Sequence, residues 1–421
     1  AATTSNNAFS VGFSSDGSIL AFNSDVNGLV PEDQQRVMDP FIYNLENGTF
    51  FQVIPTIGGN NRAATSRRVI SLSADGRYLL YRLRSNSPQP AAEHYNDVLL
   101  RDLSTGKDSR IDFLPLEEAL GTGIYPSLSP DGRYLALESV IKDHLQIHLL
   151  ERSTGRLTLV SMADASSPLA NGDSLEAVFS ADNRYLAFVS SASNLIDGDT
   201  RCSETNLNCV DVFLYEIATG KLERIPAKIQ FTMGNPYPYL TVSADARWLA
   251  WTELIDPSPI YRPVIRLHDR STGKTETVWD GMGAYQTGHS PSISNDGRWL
   301  AFGALAEYDY GEIPLPDSYP QVYLLDRQTN EAIVVSKDAN NNWGNGPSGI
   351  VALQQEGWSS DIHISGDGRY VAFSSQAANL LPPGVTKRQC FDPYVVGAYA
   401  CYDLFVYDRE TDELTWISAV K

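Results

Sequence analysis

One phrase recurs seven times, and it constrains the fold more than any other feature of the chain. Ser14-Ser15-Asp16-Gly17-Ser18-Ile19-Leu20-Ala21-Phe22 returns as Ser73-Ala74-Asp75-Gly76-Arg77-Tyr78-Leu79 and as Ser129-Pro130-Asp131-Gly132-Arg133-Tyr134-Leu135. It appears again around Asp182, Asp245, Asp296 and Asp367, so the seven aspartates are 59, 56, 51, 63, 51 and 71 residues apart. A regular internal repeat means that one small unit is built several times, each copy burying its apolar face against the next.

Each repeat reads as four strands. The first precedes the aspartate, as in Val69-Ile70-Ser71-Leu72-Ser73. Asp-Gly then makes a tight turn, because glycine tolerates φ > 0. Asp182-Asn183 and Asp245-Ala246 depart from this pattern; asparagine is a fair substitute and alanine a poorer one. The second strand is apolar on both faces (Tyr185-Leu186-Ala187-Phe188, Trp248-Leu249-Ala250-Trp251) and must be covered on both sides. A third strand alternates, as in Asp211-Val212-Phe213-Leu214-Tyr215, and Thr105-Gly106, Thr154-Gly155, Thr219-Gly220 or Thr272-Gly273 follows it. A fourth, outer strand closes the unit, as in Leu157–Val160, Glu331–Val335 and Leu414–Ile417. Seven four-stranded sheets predict an all-β, seven-bladed β-propeller. Residues 9–421 form this single domain, behind a tail at 1–8. The aromatics Tyr78, Tyr134, Tyr185, Trp248, Trp299 and Tyr370 recur at one register and are expected between blades.

The Ser-x-Asp-Gly-Arg-Tyr-Leu-Ala-Phe phrase, followed by Asp-Val-Phe-Leu-Tyr and Thr-Gly, resembles the TolB-like (WD-repeat-like) propeller repeat of bacteria. The resemblance runs over residues 8–418 and implies the fold. TolB carries an α/β domain before its propeller, and prolyl-oligopeptidase relatives carry a hydrolase domain beside theirs. Nothing in the sequence corresponds to either, so the resemblance implies neither activity.

Alternate strands run up and down, so the Asp-Gly and Thr-Gly turns share one rim. The other rim collects the variable loops, the longest being those of blades four and seven. Both hold cysteines: Cys202 and Cys209 in one, Cys390 and Cys401 in the other. Neither pair has metal or redox spacing. Two local disulfides are expected, and with them an oxidising compartment: secreted, extracellular, cell-surface or periplasmic. Such loops either present something to a partner or cap the channel. Tyr308, Tyr310, Trp343, Trp358, Tyr394 and Tyr399 lie on this rim and are candidate contacts for a ligand or partner, since tyrosine and tryptophan are the usual interface anchors.

Charge excludes other classes. With 32 Lys+Arg against 51 Asp+Glu the formal charge is −19, which argues against nucleic acid and anionic membrane surfaces. No apolar run is long enough for a membrane span. Motifs for chemistry are missing. His94, His144, His148, His268, His289 and His363 are scattered, HExxH is absent, and Gly288-His289-Ser290-Pro291-Ser292 only imitates a nucleophile elbow. No catalytic residue, metal ligand set or required cofactor is assigned, and no enzyme is expected. Asp197-Gly198-Asp199 offers oxygens to Ca²⁺, a lesser expectation because no complete EF-type loop surrounds it.

The chain opens on Ala1-Ala2-Thr3-Thr4-Ser5-Asn6-Asn7-Ala8, uncharged and small, as cleavage of an export signal or an artificial start would leave it. No strand is left over to share a blade between the termini, so closure should rest on packing of blade one against blade seven. The tail could then pair with an open outer edge, its own chain's or a neighbour's. The expectation is a non-catalytic exported propeller that binds protein, including itself, and polymerises by strand addition into an extracellular or surface filament. The second reading is a module that binds a glycan or small solute on its loop rim.

Overall fold

The structure, a computed structural model, describes residues 7–30, 38–56, 64–85, 96–111, 126–162, 169–197, 210–229, 239–255, 262–279, 288–305, 319–353, 357–391 and 398–419. Every regular element among them is a β-strand. Seven four-stranded sheets form the blades of a seven-bladed β-propeller, each antiparallel and in chain order from inner to outer strand. Two short hairpins, Ile350–Leu353 with Gly357–Ser360 and Gln389–Phe391 with Ala398–Ala400, accompany blade seven. The chain divides into two compact units, Phe113–Gly297 and Ala1–Asp112 with Arg298–Lys421. Blades three to five belong to the former, and blades one, two and seven to the latter.

Blade four shows why the repeat folds as it does. Its strands are Ser174–Phe179, Tyr185–Ser190, Val210–Glu216 and Lys221–Ile229. The second strand is buried along its whole length, as its two apolar faces require. Phe188 sits directly across from Phe213, their rings stacked at 5.6 Å. The same cross-strand pair recurs as Phe22 with Phe41, Phe302 with Tyr323 and Phe373 with Phe405. Such pairs stabilise a sheet beyond simple area burial.

The turn carries more of the fold than the aspartate alone suggests. In all seven blades the serine two residues earlier donates its hydroxyl to the aspartate, at 2.5–2.9 Å. In blades one to five and seven the aspartate also accepts the backbone N–H two residues on. The residue after the aspartate is left-handed, with φ of 71° at Gly17 and 71° at Gly297. Asn183 (62°) and Ala246 (52°) take the same conformation. Glycine is favoured there for a second reason. A Cβ on Gly297 would lie 2.2 Å from Trp248, and one on Gly17 2.8 Å from Tyr370. Of the six recurring aromatics, Tyr134, Tyr185, Trp248, Trp299 and Tyr370 pack between blades as expected. Six turn arginines stack over them at 4.8–5.1 Å and bridge to Asp102, Glu151, Glu216, Asp269, Asp326 and Asp408 at the end of the third strand.

Blade one (Ala8–Phe13, Ile19–Ser24, Asp39–Asn44, Thr49–Gln52) and blade seven (Ile362–Ile364, Tyr370–Ser375, Asp403–Asp408, Glu413–Trp416) each draw all four strands from one end of the chain. No strand is shared between them, so their junction is a seam held by side chains and a few backbone bonds.

Candidate functional site

The best-defined part of the loop rim belongs to blade seven, and it begins at that seam. Ala8 donates its N–H to the Tyr402 carbonyl at 3.0 Å, and Asn7 Oδ1 accepts the Tyr402 N–H at 2.9 Å. Ser374 donates to the Ala8 carbonyl at 2.7 Å, and the Phe9 and Tyr402 rings lie 5.7 Å apart. Asn7 and Ala8 are therefore buried (6% and 0% exposed). The free tail expected over residues 1–8 is corrected accordingly: Ala8 starts the first strand because its small side chain fits the seam, and Asn7 is tied to blade seven. Ala1, Ala2, Thr3, Thr4, Ser5 and Asn6 lie outside the described residues.

Tyr402 follows Cys401, which is disulfide-bonded to Cys390 as expected. The loop they close is also clamped to the blade. Asp403, fully buried, receives Lys387 at 2.7 Å, Arg388, and the Trp416 indole N–H at 3.1 Å. Burial holds the Lys387 ammonium below the ordinary lysine range, against the pull of Asp403. Cys202 and Cys209 lie outside the described residues.

A second device fixes the connectors on this rim. Asn345 N–H donates to Asn379 Oδ1, Ala378 N–H donates to Asn345 Oδ1, and Asn379 Nδ2 donates to the Trp343 carbonyl at 2.9 Å. Blade four repeats the clasp with Asn171 and Asn194, whose Nδ2 donates to the Leu169 carbonyl. These reciprocal asparagines escaped the sequence reading. Their signal was an Asn-Gly before the inner strand (171–172, 345–346) matched by an Asn-Leu after the second (194–195, 379–380). Asp338 completes the turn by accepting the Asn340 and Asn342 N–H groups. Trp343 is held at the tip of this turn, 51% exposed.

The other rim candidates are not brought to it by anything the structure describes. Tyr308, Tyr310 and Tyr394 lie outside the described residues. Trp358 falls on Gly357–Ser360 and Tyr399 on Ala398–Ala400. Asp197 is exposed, and Asp199 lies outside the described residues. Among the described residues no three His, Cys, Asp or Glu side chains gather to hold a metal ion, and no helix is long and apolar enough to cross a membrane.

Buried ionisable groups lie on or beside the two innermost strands of several blades. Asp361 accepts the Ser10 hydroxyl across the seam at 2.7 Å, and burial pushes its carboxyl up to about 7. Burial likewise raises Glu138 to about 7; it accepts the Glu176 N–H from the neighbouring blade. His289 is lowered to about 4 by burial. Its Nδ1 lies 3.0 Å from Ser290 Oγ, and Ser290 has φ 56°. That kink is not a nucleophile elbow. Glu176 and Tyr239 carry the same kink in blades four and five, and Ser290 is buried.

No protein-family model and no curated protein matches the sequence. Among solved structures the chain is similar to the β-propeller domain of the Trilobed protease from Pyrococcus furiosus, a propeller described as having an open velcro topology. The TM-score is 0.53 at 12% identity, with 99% of each chain covered. It is also similar to a prolyl endopeptidase (TM-score 0.57, 11% identity, 98% of this chain); there it spans 50% of that protein's length. TolB from Acinetobacter baumannii matches at TM-score 0.43 and 14% identity, over 90% of this chain and 75% of that one. At these identities the likeness is one of fold, a fold that peptidases also use.

Proposed function

We propose that this TolB-like propeller is an exported, non-catalytic unit for protein interaction or structure. On this reading its copies join into an extracellular or surface filament by strand addition from residues 1–6. The observation that carries the reading is the rim of blade seven. A disulfide, a buried ion cluster and an asparagine clasp are spent on holding loops still, and they present Trp343 to solvent. A rigid exposed tryptophan is what a protein interface uses as an anchor, and a buried disulfide suits an oxidising compartment.

Strand addition draws support from the edges. The side chains of Glu331, Ala332 and Ile333 on an outer strand are exposed, as are those of Lys274–Thr277, and an open edge is a template for another strand. Six extended residues beyond Asn7 reach roughly 20 Å. With a net charge of −19, copies must meet through backbone pairing or local patches rather than by general attraction. The test is light scattering and negative-stain imaging of the chain with and without residues 1–6. Polymers that vanish on deletion support the reading; unchanged polymers, or monomers in both, overturn it.

A glycan or small-solute module is the second reading, favoured by Trp343 standing beside the amide-rich turn Asn340-Asn341-Asn342. Calorimetric titration with a glycan panel should then show saturable heat that Trp343→Ala removes.

A further inference from the structure

Six of the seven outer strands open on a charged residue. Lys107, Arg156, Lys221, Lys274, Glu331 and Glu413 begin those of blades two to seven. The outer strand of blade one begins on Thr49, and Thr49–Gln52 holds no charge at all. Charged side chains on an edge strand discourage a foreign strand from pairing there. The edge without them is also apolar, with Phe51 and Ile54 each 48% exposed.

The turn before this strand departs from the others at the same place. Two residues ahead of the outer strand, blades two to seven carry Thr105, Thr154, Thr219, Thr272, Thr329 and Thr411, and blade one carries Asn47. In blades two to four the threonine hydroxyl accepts the first N–H of the outer strand at 3.2–3.4 Å. Asn47 Oδ1 does the same for the Thr49 N–H at 3.0 Å. Turn chemistry therefore accounts for an asparagine at 47. It does not account for Thr49, which stands where the other blades place a charge. The Thr49 hydroxyl adds a second bond to Asn47 Oδ1 at 2.6 Å.

Together the two departures spell Asn47-Gly48-Thr49, the Asn-x-Ser/Thr pattern of an N-glycosylation acceptor. No other asparagine in the chain is followed two positions on by serine or threonine. The side chains of Asn47 and Thr49 are exposed. Asn44 Oδ1 fixes the turn by accepting the Glu46 and Asn47 N–H groups at 2.9 and 3.1 Å. Both polar groups of Thr49 engage the amide oxygen of Asn47, and among the described residues its Nδ2 donates to none.

We propose that Asn47 is glycosylated when the chain is exported, and that the sugar guards the blade-one edge where a charge guards the others. A transferase of the export compartment performs the step, with a glycosyl pyrophosphate as donor. A bond forms between Asn47 Nδ2 and the anomeric carbon of the sugar. The bond from that carbon to the phosphate oxygen breaks, the pyrophosphate leaves with the electron pair, and Nδ2 gives up one proton. A bulky, hydrated group beside Thr49–Gln52 then obstructs a strand that approaches this edge. The proposal rests on the export reading and not on polymerisation.

Glycopeptide mapping of the protein purified from the cells that make it tests the site. Trypsin releases Asn47 on the peptide spanning residues 37–62. Expected is a sugar mass on this peptide that an asparagine amidase removes, leaving aspartate at 47. Asn47→Gln and Thr49→Ala should lose the sugar, and Thr49→Ser should keep it. A bare peptide overturns the proposal, as does a sugar that survives Asn47→Gln. Cell fractionation and the redox state of Cys390 and Cys401 are read on the same sample. A bare Asn47 on an exported, oxidised chain overturns the sugar alone; on an intracellular, reduced chain it overturns the export reading as well. Light scattering reads the guarding role. Thr49→Ala should self-associate at several-fold lower concentration than the glycosylated parent, whereas Thr49→Lys, which lacks the sugar but restores a charge, should not. Equal association of the two variants would overturn that role.

Discussion

A serine and an aspartate two residues apart do most of the local specification in this protein. The aspartate was legible in the sequence as a turn residue; the serine was quoted with it but given no role. Its hydroxyl donates to the carboxylate and, in six of the blades, accepts the N–H that opens the second strand. That bond pattern follows from a position five residues on, which composition does not reveal. Asp361 was equally silent, because its chemistry comes from burial beside blade one. An ordinary aspartate loses its proton near 3.8, whereas Asp361 keeps it to about 7. Within that window the folded state binds the proton and the unfolded state has released it. The stability tied to this proton is therefore full below the lower value and lost as pH rises through the upper one, by up to about 4 kcal/mol. Hydrogen bonds from Ser10 and Ser374 favour the ionised carboxylate, but burial outweighs them, and no charged group is among its partners. Asp361→Asn should melt higher than the parent at pH 8, and the difference should shrink steadily toward pH 4. Scanning calorimetry across that range checks it, and a pH-independent difference would refute the assignment.

Strands were easier to read than the pieces between them. Apolar runs such as Leu186-Ala187-Phe188 admit only a doubly covered strand, and each was found buried. The connectors are held by reciprocal amide bonds between segments 23 and 34 residues apart, and no periodicity announces such a contact. The turn glycines fall between these cases. Their left-handed conformation follows from Asp-Gly, but the ring from the adjacent blade lying against them does not. Two positions separate the effects. Gly106 has φ 67° and open space around its missing Cβ, whereas at Gly297 a Cβ would meet Trp248. Gly106→Ala should cost about 1 kcal/mol for the backbone alone. Gly297→Ala should cost about 1–3 kcal/mol more, because the indole must move. Urea unfolding of both variants decides it; equal losses would mean that the ring yields freely.

For the molecule as a whole, the repeat gave seven blades, and the way the ring is joined had to be seen. The seam was expected to rest on packing, yet a loop of blade seven reaches over and bonds Asn7 and Ala8. The Cys390–Cys401 bridge closes that loop, and a loop of this length stabilises by roughly 2.5 kcal/mol in the chain-entropy model. Its removal should be felt at the seam first. In Cys390→Ser/Cys401→Ser, hydrogen exchange should accelerate over residues 7–13 and 401–404 while the second strand of blade four keeps its protection. Uniform acceleration would make the bridge a general staple only. Ala8, Leu404, Val406 and Ile417 belong to one apolar cluster, so blade one and blade seven share a core at the seam as well as the bonds of Tyr402. What joins the first blade to the last is therefore a core in miniature, with side chains performing the task that a shared strand would otherwise perform.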